Sequence, residues 1–96
     1  MPKTKTTTNN KKRVKLTLNA EPGAKIFIVG SFNNWSMEQN QLLDRKGNGL
    51  YSCSLLLPPG TYEYKFKIDD FWSIDPGNLK FTKNELGTLN SVLEIR

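Results

Sequence analysis

Ninety-six residues with a single cysteine bound one small domain, rule out an intramolecular disulfide, and leave no room for a catalytic barrel of roughly 250 residues. The formal charge of +5 is uneven: Lys3, Lys5, Lys11, Lys12, Arg13 and Lys15 put +6 in residues 1–15, and the eight basic and nine acidic residues that follow sum to −1. This is a near-neutral domain with a basic start, and it has neither an apolar run long enough for a membrane span nor an apolar segment after the basic stretch that would read as a secretory signal.

Met1–Lys12 is rich in Thr, Asn and Lys and has no aromatic or branched aliphatic residue. It is expected to stay disordered, so the division is a basic tail over 1–13 and a folded domain over 14–96. Val14, Leu16 and Leu18 alternate with polar residues, which predicts a half-buried strand. Glu21-Pro22-Gly23-Ala24 is a turn. Lys25–Ser31 is an apolar, β-branched strand that breaks at Gly30, a residue tolerant of unusual backbone angles. Phe32 and Trp35 then flank Asn33-Asn34, placing two large aromatics among turn formers. Either Trp35 caps the core, or a tight polar turn presents its ring to a ligand; both readings stay open at this point.

Gln41–Asp44 is a candidate short strand, and Arg45-Lys46-Gly47-Asn48-Gly49 a turn. Leu50–Leu57 reads as a strand with Tyr51, Cys53, Leu55 and Leu57 on one face, which makes Cys53 an inward small hydrophobe and not a nucleophile. Pro58-Pro59-Gly60 joins it to Thr61–Asp69, where Tyr62, Tyr64, Phe66 and Ile68 alternate with Glu63, Lys65, Lys67 and Asp69. Asp69-Asp70 turns into Phe71-Trp72. Phe81-Thr82 and Asn90–Arg96 are the remaining strand candidates. Short strands with a turn at nearly every joint predict an all-β sandwich, with a small barrel as the other possibility.

Gly30-Ser31-Phe32-Asn33-Asn34-Trp35-Ser36 resembles the signature of the glycogen-binding and isoamylase-N-terminal type of starch-binding module, carbohydrate-binding module family forty-eight. That family includes the glycogen-binding domain of AMP-activated protein kinase β-subunits. Leu55–Phe66, Asp69-Asp70-Phe71-Trp72, Asp75-Pro76 and Leu86–Ser91 extend the resemblance in order over roughly residues 14–96. It implies an immunoglobulin-like (early-set) β-sandwich that binds α-glucans without catalysis. Matched motif by motif, it implies sugar contacts from Trp35, Lys65, Trp72, Leu86 and Asn90. The departure is Asp70, where the family has glycine, and it bears on the placement of Trp72 more than on the fold. The residues agree with this chemistry: a pyranose has an apolar C–H face suited to indole and a rim of hydroxyls that Lys65 and Asn90 can bond.

The competing readings are an interaction scaffold that uses a sheet face and exposed aromatics without binding sugar, and nucleic-acid binding through the basic tail. Catalysis is not expected: there is no histidine, Cys53 faces inward, and Asp69, Asp70 and Asp75 are turn formers. No cofactor or metal is expected. The module is expected in the cytoplasm, with a glycogen-metabolising enzyme or kinase as its partner in trans and no membrane contact.

Overall fold

The structure, a computed structural model, describes residues 10–96; the expected disorder of the first nine residues lies outside them. Eight strands build it: β1 (Lys12–Asn19), β2 (Ile26–Gly30), β3 (Asn40–Leu42), β4 (Leu50–Leu57), β5 (Gly60–Ile68), β6 (Phe71–Ser73), β7 (Phe81–Lys83) and β8 (Leu89–Ile95). A two-stranded sheet, β1–β4, faces a larger sheet of order β3-β2-β5-β8-β7, with β6 also paired to β5. All the pairings are antiparallel. The architecture is the expected all-β, immunoglobulin-like sandwich and not a closed barrel.

Its core follows from period-2 patterning. Leu16, Leu18, Tyr51, Leu55 and Leu57 come from the smaller sheet and meet Ile26, Ile28, Leu42, Tyr64, Phe66 and Ile95 of the larger one. Cys53 packs beside them, and its partial burial pushes the thiol above its ordinary range, which suits a packing role over a nucleophilic one.

Several strand ends shift by a residue or two from the expected ones, and three differences are larger or affect a turn. β1 begins at Lys12 and not at Val14, because Lys12 and Arg13 continue the ladder opposite Leu57 and Leu56; backbone pairing extends the strand past the point where the apolar alternation stops. The third strand spans Asn40–Leu42 instead of Gln41–Asp44, and Asp44 is left to cap its turn, its carboxylate accepting from Asn48 N and Gly49 N at 3.1 and 2.8 Å. Phe71–Ser73 forms an additional short strand.

β5 organises the larger sheet. One edge pairs with β2 through Tyr64–Ile68; on the other, β8 takes Gly60–Tyr64 and β6 takes Phe66–Ile68. Tyr64, at the centre, is fully buried. Its hydroxyl donates to Asp75 Oδ2 at 2.7 Å and accepts from Asn78 Nδ2 at 3.1 Å, while Ser91 Oγ accepts from Asp75 N at 2.7 Å. Burial, reinforced by the Asp75 carboxylate, pushes the phenol far above its ordinary value and keeps it a donor. Tyr64→Phe leaves that buried carboxylate oxygen without its donor and is expected to cost about 2 kcal/mol, on the order of 10 °C in a thermal melt. A melt within about 2 °C of the wild type would show that the hydroxyl carries no stability.

Candidate functional site

The outward face of β5 orients the site. Lys65 stands opposite Val29 of β2, and Lys67 opposite Trp72 of β6, so Trp72 projects from the same outer face as both lysines. The hairpin that delivers Trp72 turns on Asp69 and Asp70. The left-handed residue is Asp69, at φ 52°, and not Asp70, the position at which the sequence departs from the family pattern. Asp69 is anchored in return: its N–H donates to Lys25 O at 2.7 Å, and its Oδ1 accepts from Lys25 N at 3.0 Å. The aspartate at position 70 therefore sits where no left-handed backbone is required.

Trp35 arrives differently. After β2 the chain makes one 3-10 turn, Ser31–Asn33, and then holds two successive residues left-handed, Asn34 at φ 57° and Trp35 at φ 58°. A bulky residue with positive φ is an outlier costing about 1–3 kcal/mol, and it persists only where its surroundings fix it. Asn33 supplies that fixing. Its Oδ1 accepts from Gly30 N and Ser36 N at 3.1 and 3.2 Å, and its Nδ2 donates to Ile28 O and Asn40 Oδ1 at 3.0 and 2.7 Å. Trp35 N donates to Gly30 O at 2.8 Å. The two aromatics of this stretch divide: Phe32 packs inward, its ring 6.1 Å from that of Tyr62 and edge-on, whereas Trp35 stays 43 % exposed.

Gly30 is needed for a reason other than backbone freedom. Its φ of −158° is ordinary extended backbone. A side chain is what cannot fit, since a Cβ would lie 2.6 Å from Glu63 O and 2.8 Å from Tyr64 Cβ.

Trp35, Lys65, Trp72, Leu86 and Asn90 all line one open concavity of about 590 Å³, together with Asn84, Glu85 and Thr88. Trp72 is 49 % exposed and Leu86 89 %. Lys65 Nζ donates to Thr88 Oγ1 at 3.0 Å. Asn90 is the outlier of the five. It is 4 % exposed, its Nδ2 donates to Glu63 Oε1 at 2.9 Å, and its Oδ1 accepts from Asn84 Nδ2 at 3.3 Å. It forms the floor of the concavity, with each amide atom already in one hydrogen bond.

Asn84, Thr88 and Glu63 were not among the expected site residues. Glu63 is legible only as an outward strand residue, and Asn84 only as a turn former; the contacts that make them matter span up to 27 positions of sequence. A second concavity of similar size, about 610 Å³, lies beside Tyr64 and Asp75 with Lys15, Lys80 and Glu94 at its walls. It offers no exposed aromatic face, since Tyr64 is fully buried. Among the described residues no cluster of histidine, cysteine or carboxylate side chains is arranged to hold a metal ion.

Residues 6–96 match the family described as the glycogen recognition site of AMP-activated protein kinase. Relatives include the mouse 5'-AMP-activated protein kinase subunit beta-2, 36% identical over 77 residues, which are 80% of this chain and 27% of that protein. The pig subunit beta-1 is 34% identical over 74 residues, 77% of this chain and 57% of that protein. For the rat subunit beta-1 the figures are 36% over 74 residues, 77% of this chain and 26% of that protein. The chain thus spans about a quarter of the mouse and rat relatives. With a match running through nearly its whole length and a sandwich fold beneath it, the chain belongs to the family of glycogen recognition modules of AMP-activated protein kinase.

Proposed function

We propose that this chain binds α-glucans, such as glycogen, starch chains and maltooligosaccharides, through a two-tryptophan platform, without catalysis. The observation that carries the reading is the pairing of Trp35 and Trp72, both about half exposed, on one concavity with Lys65. Neither ring belongs to the core cluster. The left-handed backbone at Trp35 is a further support, because strain of this kind gathers at functional sites. Indole faces stack on the apolar faces of two glucose units, Lys65 donates to hydroxyls, and Leu86 fills the space between. By this reading the module delivers a partner, a glycogen-metabolising enzyme or a kinase, to the polymer in the cytoplasm.

Each stacked indole covers about 80 Å² of apolar surface, on the order of 2 kcal/mol. Hydrogen bonds to neutral hydroxyls add little, and association has its own cost, so Kd falls between roughly tens of micromolar and a millimolar. A pull-down on glycogen or insoluble starch, with cellulose as the control, is expected to retain the protein on the α-linked polymers alone. Equal retention on cellulose would overturn the ligand assignment. No retention of the folded protein on any of the three would favour the scaffold reading.

Because the ligand is uncharged, glucan affinity is expected to change less than twofold, roughly, between low and high salt. Nucleic-acid binding through the basic stretch would fall steeply instead. Titrating maltoheptaose and a short RNA at both salt concentrations separates the two. Salt-sensitive RNA binding tighter than glucan binding, lost on deleting residues 1–11, would replace the glucan reading.

A further inference from the structure

Leu86 poses a problem that folding does not answer. It is an aliphatic side chain 89 % exposed, carried on a surface loop between β7 and β8, where water contact is unfavourable and loop order costs entropy. Yet this loop is closely tied down, and a single residue does the tying. Asn84 Oδ1 accepts from Leu86 N at 3.0 Å and from Thr88 N at 3.1 Å. Asn84 Nδ2 donates to Thr88 Oγ1 at 2.7 Å and to Asn90 Oδ1 at 3.3 Å. Its own backbone closes the loop, with Asn84 N donating to Thr88 O at 2.8 Å and Gly87 N donating to Asn84 O at 3.0 Å.

These bonds join the loop to the rest of the concavity. Thr88 Oγ1, held by Asn84, also receives Lys65 Nζ, and Asn90, held by Asn84, also binds Glu63. Glu63 and Lys65 are alternate outward residues of β5. One polar chain therefore runs from Glu63 through Asn90, Asn84 and Thr88 to Lys65, and Leu86 rides on it. Such an arrangement holds an apolar group in place before its ligand arrives, so that little ordering remains to be done on binding.

We infer that Asn84 is the positioning residue of the site: it touches no sugar in this scheme but sets where Leu86 and Lys65 stand. The inference rests on the glucan reading above. Its test is titration calorimetry with maltoheptaose on the full chain and on Asn84→Ala, Asn84→Asp, Leu86→Ala and the Asn84→Ala/Leu86→Ala double variant. Asn84→Ala is expected to weaken binding about five- to tenfold in a domain that stays folded, with a melting temperature lowered by only a few degrees as Asn90 Oδ1 loses its donor, and to speed hydrogen exchange at the Leu86 and Thr88 amides. Asn84→Asp keeps the acceptor for both amides but loses the donor to Thr88 Oγ1 and Asn90 Oδ1, so it should restore slow exchange at the Leu86 and Thr88 amides and only part of the affinity. The double variant should bind no more weakly than the poorer single one by more than about twofold, since the two residues act through one contact.

Wild-type affinity in Asn84→Ala, losses in the double variant that multiply, or Leu86 and Thr88 amides that exchange as fast in Asn84→Asp as in Asn84→Ala would each overturn the role. If the wild-type chain itself ignores maltoheptaose, the glucan reading fails and takes this inference with it. If the wild type binds and Asn84→Ala binds equally, the inference alone fails.

Discussion

Replacing either Trp35 or Trp72 by alanine abolishes detectable retention on glycogen or starch, and the domain stays folded: this is the expected result for rings that serve as a platform. Both are 43–49 % exposed and stand apart from the eleven side chains of the core cluster. Removing one takes away about 2 kcal/mol of stacking, roughly a thirtyfold loss, which carries an interaction of about tens to hundreds of micromolar to millimolar or weaker, below what a pull-down retains. The cost to stability should be small, because much of each ring is already in water. Phe66→Ala is the contrast. That ring is fully buried between the sheets, and its truncation should cost about 3–5 kcal/mol, a large part of the stability of a domain this size. Thermal melts and a starch pull-down on the three variants decide the matter. A Trp35 or Trp72 variant that unfolds as readily as Phe66→Ala would return that residue to a core role. A folded one that still binds at wild-type affinity would remove it from the platform.

The fold was legible wherever side chains alternate along a strand. Tyr64 and Phe66 fall inward and Lys65 outward in Thr61–Asp69 because that pattern has period two and one face of the strand must meet the core. The candidate site was legible as a set of residues only through the family resemblance; composition and periodicity by themselves left Trp35 between core and ligand. What could not be read was the machinery that aims those residues. Asn33 reads as one turn former among several, yet four hydrogen bonds through its amide hold the turn before Trp35. Which aspartate of the Asp69-Asp70 pair takes the left-handed backbone depends on the contact with Lys25, 44 positions earlier. The burial of Asn90 depends likewise on Glu63 and on a loop that local propensity does not place.

Gly30→Ala should be the most damaging single-methyl change near the site, lowering the melting temperature by roughly 5–20 °C and weakening glucan binding about tenfold or more in the protein that remains folded. The reason is contact and not conformation. At φ −158° alanine is as comfortable as glycine. The added methyl, however, would stand 2.6 Å from Glu63 O and 2.8 Å from Tyr64 Cβ. The first is backbone of β5 and the second is fixed to it, so neither can swing aside as the Phe32 ring can. β2 and β5 must part at the Gly30–Tyr64 pair, and overpacking of this kind costs about 1–3 kcal/mol, some 4–8 °C for each kcal/mol in a domain of this length. The strain falls where the site begins, because Gly30 O receives Trp35 N and Gly30 N is bound by Asn33. Gly23→Ala provides the matched comparison. Gly23 has φ 88°, and a Cβ there would have no neighbour within 4 Å, so its alanine variant should lose about 1 kcal/mol through backbone strain alone and keep its affinity. Melts and maltoheptaose titrations on the two variants test the distinction. If Gly30→Ala melts and binds like the wild type, or if Gly23→Ala loses binding to the same degree, close approach of β2 to β5 is not what places Trp35.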